Sequence, residues 1–336
     1  MNNLFLAGDI GGTNARFALV ASNGGTPALL AARTYPTHDG GVTACAKRFV
    51  TEMAAEGKAQ TAAWRRGVFG IAGPVVDGSC HMPNAGWSVT EKELLETLGF
   101  PVRLVNDMVV NAAGIAHLGD DALHTVLEGQ ARPGHRVLLA PGTGLGKAIL
   151  PWDGARHGVV AGEGGHIDFA PRNPEEDALV VFLRARFGRV STERVACGQA
   201  IPNLYTFLKE TGRAQEPAWL RDALAAAHAA GQDMAPIVFK AAFEKNEPIA
   251  LEVFRLFATI LGSEAGNLCL TAIPEGGCYL GGGILPRIAA WISSSGHFQK
   301  AFLDKAPHRA VLERIPVKII THPETALVGA AGLAVG

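Results

Sequence analysis

At 336 residues the chain has the length of roughly two domains and can bury a large hydrophobic core. Its hydrophobic fraction of 48% is that of a folded rather than a disordered chain. The formal net charge is −1 and no block of like charges occurs, so neither nucleic acid nor an anionic membrane surface is indicated as a partner.

The cysteines and the N-terminus both indicate a cytoplasmic protein. The cysteines are odd in number and form no C-x-x-C pair, so we expect small core residues rather than disulfide partners at Cys45, Cys80, Cys197, Cys269 and Cys278. The first residues lack the basic region of a signal peptide. No stretch approaches the ~20 apolar residues that span a bilayer.

The N-terminal segment predicts a strand, a glycine-rich turn and a second strand. Residues 4–7 and 16–20 are apolar, and the turn between them is Gly8-Asp9-Ile10-Gly11-Gly12-Thr13-Asn14. A plain hairpin would explain the pattern. The turn, however, has more glycine than a hairpin needs, and glycines let backbone N–H groups approach a phosphate. A phosphate loop is therefore predicted here, with the acid at position 9 near a magnesium ion, directly or through water.

The next elements lead to a candidate catalytic acid. Residues 68–73 read as a buried strand, and a loop follows that contains Asn84. Ser88 and Glu91 have capping-box spacing and predict a helix that ends at Gly99. A short apolar strand over residues 102–105 then runs into Asn106-Asp107.

Asp107 stands where that strand would end. In open parallel sheets, ligands bind beyond the carboxyl ends of the strands. A carboxylate at such a point is well placed to take a proton from a substrate hydroxyl. The alternative is that Asn106-Asp107 forms a turn or caps the helix that follows, over residues 109–118.

A second strand, glycine turn and strand spans residues 136–150 and repeats the opening design. The turn is Pro141-Gly142-Thr143-Gly144-Leu145-Gly146. A dinucleotide-binding fingerprint is the competing interpretation, because Asp168 lies about 20 residues further along the chain, as that motif requires. We reject that interpretation, because the spacing is G-x-G-x-G and the segment that follows carries proline and glycine rather than a helix.

A polar cluster and a third glycine cluster complete the set. Glu163 and His166 lie among glycines that leave room for a ligand, and no zinc-ligand spacing surrounds them. Glu193 reads as a first-turn acid that needs no function of its own. Gly281-Gly282-Gly283 follows a strand and suggests backbone packed against a flat ligand such as adenosine, with a tight turn as the alternative.

Taken in order, these motifs resemble the series that marks the bacterial glucokinases, members of the hexokinase, actin and heat-shock ATPase superfamily. One departure is Ala140, where relatives often have glycine, which would stiffen the second loop slightly. The motifs are Asp9-Ile-Gly-Gly-Thr-Asn14, Asn106-Asp107, Gly142-Thr-Gly-Leu-Gly146, Gly162-Glu-Gly-Gly-His166, Ser191-Thr-Glu-Arg-Val195 and Gly281-Gly-Gly-Ile-Leu-Pro286.

The resemblance implies a two-domain actin-like ATPase (ribonuclease H-like) α/β fold with an interdomain cleft. The small domain would hold residues 1–117 and 322–336, and the large domain residues 118–321. The implied activity is phosphorylation of the 6-hydroxyl of D-glucose by ATP with Mg2+, feeding glycolysis, in a chain that could form a homodimer.

The resemblance also implies residue roles. Asp107 would be the general base and would contact the sugar, whose hydroxyls would be bound by Asn84, Asn106, Glu163, His166 and Glu193. Asp9 would lie near the magnesium. The nucleotide would be held by Asp9, Gly11, Gly12, Thr13, Asn14, Gly142, Thr143, Gly144, Gly282 and Gly283.

Other functions are weighed against this one. A kinase for another hexose or an N-acetylhexosamine is the first, but the related repressor and kinase group usually carries a cysteine-rich zinc motif after its histidine, which this chain lacks. A sugar sensor without catalysis would not need the acid at position 107 or the phosphate loops. A chaperone-type ATPase would not need the polar cluster at Glu163 and His166.

Overall fold

The computed structural model describes residues 3–23, 26–59, 63–82 and 85–336. Most of the strands are short, and several end in a glycine-rich turn. In chain order they are β1 (Leu4–Ile10), β2 (Asn14–Asn23), β3 (Thr26–Pro36), β4 (Trp64–Ile71), β5 (Ser79–Met82), β6 (Trp87–Thr90), β7 (Val102–Asn106), β8 (Leu123–Leu127), β9 (Arg136–Pro141), β10 (Leu145–Leu150), β11 (Val160–Gly162), β12 (Cys278–Leu280) and β13 (Val317–Ile320).

The helices lie between and after these strands. Two short 3-10 turns, Gly164–His166 and Thr192–Arg194, carry candidate site residues. The α-helices are α1 (Gly41–Ala55), α2 (Glu91–Leu98), α3 (Asp107–Gly114), α4 (Pro174–Phe187), α5 (Ala200–Glu210), α6 (Ala218–Ala229), α7 (Ala235–Phe243), α8 (Pro248–Ala272), α9 (Ala289–Ser295), α10 (His297–Leu303), α11 (Arg309–Leu312) and α12 (Thr325–Val335).

The chain forms two compact units. The first contains Met1–Leu123, His157–Ala161 and His322–Gly336, and the second contains His124–Arg156 and Gly162–Thr321. Each unit has its own sheet and its own hydrophobic core. In the part of the chain that the structure describes, no helix is both long and apolar enough to cross a membrane.

The first unit is built on a sheet in the order β3-β2-β1-β4-β7. The hairpin β1-β2 is antiparallel, and β4 and β7 run parallel to β1. One face packs against α1 and α2, around Phe17, Phe49 and Phe69. The other face is covered by α3 and α12, so the central parallel strands β1 and β4 are buried on both sides.

Helices α3 and α12 approach each other closely because glycines line their contact. A Cβ atom at Gly329 of α12 would overlap the carbonyl oxygen of Val110, and one at Gly114 would lie 2.8 Å from the Thr325 side chain. The backbone of α3, which begins at Asp107, is therefore fixed by α12.

The second unit repeats the same strand arrangement. Its strands lie in the order β10-β9-β12-β13-β8, in which β9 and β10 form an antiparallel hairpin and β12 and β13 run parallel to β9. The long helix α8 lies against this core, with sixteen buried residues along its 25-residue length. Both glycine hairpins predicted from the sequence are thus confirmed.

One helix start was predicted wrongly. Ser88 belongs to strand β6, and the N-cap of α2 is Thr90, whose hydroxyl accepts a hydrogen bond from the Glu93 N–H at 3.0 Å. The carboxylate of Glu91 instead accepts from the Leu104 N–H at 2.8 Å, outside the helix. The pattern misplaces the cap because β6 runs directly into α2, so Ser88 still belongs to the strand and the helix begins two residues later than predicted. All five cysteines are free and buried, as expected.

Candidate functional site

In the first unit, two candidate segments lie at the same end of the sheet. The register pairs Ile10 with Ile71 and Ile71 with Asn106, so β1, β4 and β7 end side by side. The glycine turn after β1 and the Asn106-Asp107 pair after β7 therefore emerge from one edge. This is the position at which ligands bind in parallel sheets.

Asn106 caps the helix that Asp107 opens. Its side-chain oxygen accepts a hydrogen bond from the Met108 N–H at 2.9 Å, and its Nδ2 donates to the Gly73 carbonyl at 3.4 Å. The capping interpretation is therefore correct for Asn106. It also places Asp107 in the first turn of α3, where the helix dipole stabilises a negative charge.

The first glycine turn is held by the groups around its carbonyls. The Thr37 hydroxyl and the Trp87 indole N–H donate to the Gly12 carbonyl at 2.6 and 3.2 Å. Because the peptide bond is planar and trans, the N–H of Thr13 points the opposite way. The turn can thus offer an amide to an anion, although the Gly11 N–H is already bound to the Asn14 carbonyl at 2.8 Å.

Asp9 lies near the end of β1 and is largely buried. Burial raises the pKa of its carboxyl group above the usual 3.8, and Arg16, its partner across β2, lowers it by a smaller amount. A nearby cation stabilises the charged form of a desolvated carboxylate of this kind. Among the described residues, no cluster of three or more His, Cys, Asp or Glu side chains could hold a metal, but Mg2+ is commonly held by one or two carboxylates with water and substrate phosphates.

In the second unit, the other two glycine clusters meet. Leu139 of β9 pairs with Leu280 of β12, so the turns after both strands lie at one edge of the sheet. Gly282 has a φ of +82°, and a Cβ atom there would lie 2.6 Å from the carbonyl carbon of Pro141. Only glycine fits at this contact, so the loop at 281–283 lies directly against the loop at 142–144.

Glu193 reaches the second glycine turn. Its carboxylate accepts a hydrogen bond from the Leu145 N–H at 2.9 Å, and a Cβ atom at Gly144 would collide with it. The residue is the acid in the first turn of the short 3-10 element Thr192–Arg194, as the sequence predicts. The structure thus gives Glu193 a fixed position beside the turn.

The polar loop at 163–166 rests on strand β10. A Cβ atom at Gly165 would lie 3.0 Å from the carbonyl carbon of Leu145 and would overlap its oxygen. The side chains of Glu163 and His166 are exposed, and the Thr192 N–H donates to the Ile167 carbonyl at 2.9 Å. That bond ties the polar loop to the segment that carries Glu193.

Sequence reasoning missed two groups that support these loops. Arg189 donates to the Asp168 carboxylate and to the His166 carbonyl, both at 2.6 Å. Thr37 holds the Gly12 carbonyl. Neither belongs to a motif, and both act on residues more than twenty positions away, so no local pattern could reveal them. Asn84, a predicted sugar ligand, lies outside the described residues.

Comparison with known proteins agrees with this architecture. The glucokinase of Chromohalobacter salexigens is 36% identical over 333 residues, covering 97% of this chain and 95% of the relative. The crystal structure of a glucokinase from an Antarctic psychrotroph superposes with a TM-score of 0.83 at 26% identity, covering 99% and 98% of the two chains. A ROK family glucokinase from Streptomyces griseus, in complex with glucose and AMPPNP, shares the fold, with a TM-score of 0.63, 22% identity and 99% coverage of each chain.

The family assignment rests on the whole chain rather than on one motif. The model of the glucokinase family matches residues 6–335. That range includes both glycine hairpins, Asp107 and the polar loop at 163–166. The chain therefore belongs to the glucokinase family, and its fold is that of the actin-like ATPases.

Proposed function

We propose that Asp107 is the general base with which this chain phosphorylates the 6-hydroxyl of D-glucose, with ATP as the phosphoryl donor. Family membership supports the overall reaction, which yields glucose 6-phosphate. The observation that carries the role of Asp107 is its position: it follows the end of β7 and opens α3, beside the edge from which the first glycine turn emerges.

The work left to the protein in phosphoryl transfer is mostly positioning and neutralisation of charge, because the transition state is loose. The helix dipole favours the negative charge of a carboxylate at a helix N-terminus, and such a carboxylate can accept the hydroxyl proton as the sugar oxygen attacks. Since α12 fixes the backbone of α3, the position of Asp107 is set before substrate binds.

The sugar would be read by carboxylates, amides and an imidazole. Sites that hydrogen-bond a hydroxyl reject analogues that lack it, by up to ~10⁴–10⁵ in favourable cases. Glu163, His166 and Glu193 are brought into neighbouring segments of the second unit, which supports their assignment as ligands of the sugar hydroxyls. Asn106 in the first unit, and Asn84, complete the proposed set.

The three glycine clusters would hold ATP, and Asp9 would hold Mg2+, directly or through water. The magnesium ion supplies charge neutralisation to the phosphates. The first cluster contributes Gly11, Gly12, Thr13 and Asn14, the second Gly142, Thr143 and Gly144, and the third Gly282 and Gly283. We further propose that residues 1–117 with 322–336 and residues 118–321 act as the small and large domains, and that the enzyme serves glycolysis in the cytoplasm, with a homodimer as its assembly.

The test is Asp107→Asn compared with wild type in a coupled assay that varies glucose at saturating ATP and magnesium. Loss of a general base is expected to lower kcat by about 10²–10⁴-fold, while glucose binding, measured by calorimetry, stays within a few-fold. Mannose, fructose, 2-deoxyglucose and N-acetylglucosamine serve as competing substrates. Full turnover by the variant would remove Asp107 from the mechanism, and preferred use of another sugar would move the substrate.

A further inference from the structure

We propose that Lys147 is a positioning residue for sugar binding: its aliphatic stem, anchored by an ion pair with Glu264, is the floor that sets the height of the polar loop at 163–166. The inference rests on the proposed function, in which Glu163 and His166 of that loop bind glucose hydroxyls. Neither Lys147 nor Glu264 belongs to the ligand set described above.

The stem of Lys147 lies directly under the loop. A Cβ atom built on Gly164 would lie 2.8 Å from the Cδ of Lys147, 3.2 Å from its Cβ and 3.4 Å from its Cγ. The backbone of Gly164 therefore sits on a row of methylene groups. Glu163 precedes this residue and His166 follows two positions later, so a shift of Gly164 moves both proposed sugar ligands.

The head of Lys147 is fixed by a buried ion pair. Its Nζ lies 2.5 Å from the Oε1 of Glu264, and the two side chains are only 7% and 9% exposed. The second carboxylate oxygen accepts a hydrogen bond from Asn267 at 3.2 Å, and the Lys305 Nζ donates to the Asn267 oxygen at 2.7 Å. Both oxygens of Glu264 are thus held in place.

The anchor itself is part of a rigid helix. Glu264 lies on α8 between Gly262 and Gly266. A Cβ atom at Gly262 would lie 2.9 Å from the Phe298 carbonyl carbon, and one at Gly266 would lie 2.8 Å from the Phe302 carbonyl oxygen. Because the backbones of α8 and α10 are this close, Glu264 cannot follow a displaced lysine.

Stability alone does not explain the pair. Two charges lose their hydration when they are buried, and apolar residues of similar volume often fill such a site equally well. A lysine stem has several rotatable bonds, and an unanchored one samples many rotamers. Anchoring the lysine stem at both ends restricts it to one conformation. It can then support the polar loop at a fixed position, which the glycines of that loop do not ensure by themselves.

The experiment compares wild type with a double variant that carries both Lys147→Ala and Glu264→Ala. Replacing both residues leaves neither buried charge without its partner. We expect the KM and the calorimetric Kd for glucose to rise about tenfold, since a misplacement of about 1 Å can cost up to ~100-fold. The KM for ATP should change by less than about twofold, because the loop that shifts contains proposed ligands of the sugar and none of ATP.

The rescue variant combines Lys147→Met with Glu264→Gln, which restores an unbranched stem of similar length without a buried charge. Because this stem fills the space but is not anchored at its far end, it should recover only part of the loss and leave the glucose KM about threefold above wild type. A third variant, Gly164→Ala, pushes a methyl group against the intact stem and should raise the glucose KM while the ion pair is present. It decides the question if the alanine pair fails to fold.

The outcomes separate the two hypotheses. If wild type phosphorylates glucose but neither the alanine pair nor Gly164→Ala changes its glucose KM, the role of Lys147 is wrong and the proposed function stands. Parallel rises in the KM values for glucose and ATP would also overturn it, because they indicate general loosening. If wild type does not phosphorylate glucose, the proposed function fails, and this inference fails with it.

Discussion

Replacement of Gly165 by alanine tests whether the polar loop at 163–166 sets glucose affinity. The glycine packs against strand β10, where an added methyl group would overlap the carbonyl oxygen of Leu145 and lie 3.0 Å from its carbonyl carbon. The obstacle is backbone, so no side chain can turn aside. Either the loop lifts away from the strand or the strand is pushed down.

The displacement that this overlap requires sets the size of the effect. To reach an ordinary van der Waals contact, the loop must move by more than about 1 Å, and an error of that size in a binding group can cost about 10²-fold. We therefore expect kcat/KM for glucose to fall by about 30- to 100-fold. Overpacking should also lower the free energy of unfolding by about 1–3 kcal/mol.

A matched control lies three residues away. A Cβ atom at Gly162 would meet nothing within 4 Å, so Gly162→Ala should keep the kinetics of wild type to within a small factor. Both variants are assayed with glucose and ATP varied separately, and unfolding in urea shows that they remain folded. If Gly165→Ala and Gly162→Ala have the same kcat/KM, the reasoning that links loop position to glucose affinity is refuted.

Three further predictions concern groups that support the site. Asp9→Asn should remove magnesium-dependent turnover yet stabilise the fold near neutral pH: burial raises the pKa of this carboxyl group, so its contribution is present below pH 3.8 and is lost as the pH rises through the raised pKa. Urea unfolding in magnesium-free buffer should therefore show a gain that shrinks in acid, and an unchanged or lower stability of the variant at neutral pH would contradict it. Arg189→Ala should raise the glucose KM by no more than about fivefold, because the side chain is 62% exposed and its ion pair with Asp168 is screened by solvent; a rise of about twentyfold in the same coupled assay would be too large for a screened pair. Gly329→Ala should destabilise the protein by about 1–3 kcal/mol in denaturant unfolding. A Cβ atom at Gly332 first meets the ring of His117, a side chain that can rotate away, so Gly332→Ala should cost less; equal losses would contradict the idea that the backbone contact between α3 and α12 sets the cost.

Local sequence signals were sufficient for the hairpins and the strand ends. Each glycine turn lies between two apolar runs, and turn chemistry and alternation are properties of a few consecutive residues, so both hairpins were predicted from them. The position of Asp107 followed from the same kind of signal. The pairing of Leu139 with Leu280 joins segments about 140 positions apart, and no local pattern predicts it.

The supporting contacts could not be predicted from the sequence. Lys147 looks like an ordinary strand residue, and Glu264 lies 117 positions later in a helix whose buried residues are mostly apolar. An isolated charge on a buried helix face is a signal that such a partner exists, but it does not identify the partner. The misplaced cap of α2 has a different cause, because Ser88 and Thr90 are both common N-cap residues and Ser88 is taken up by the strand β6.

The covering of the first unit by α12 has a consequence for synthesis on the ribosome. The apolar face formed by Phe5, Val20 and Val68 is buried beneath residues that follow more than three hundred others. During synthesis this face stays uncovered until α12 has been made. By that point the residues of the second unit have already been synthesised. The nascent first unit therefore exposes apolar surface through most of translation, and such surface favours aggregation before folding is complete.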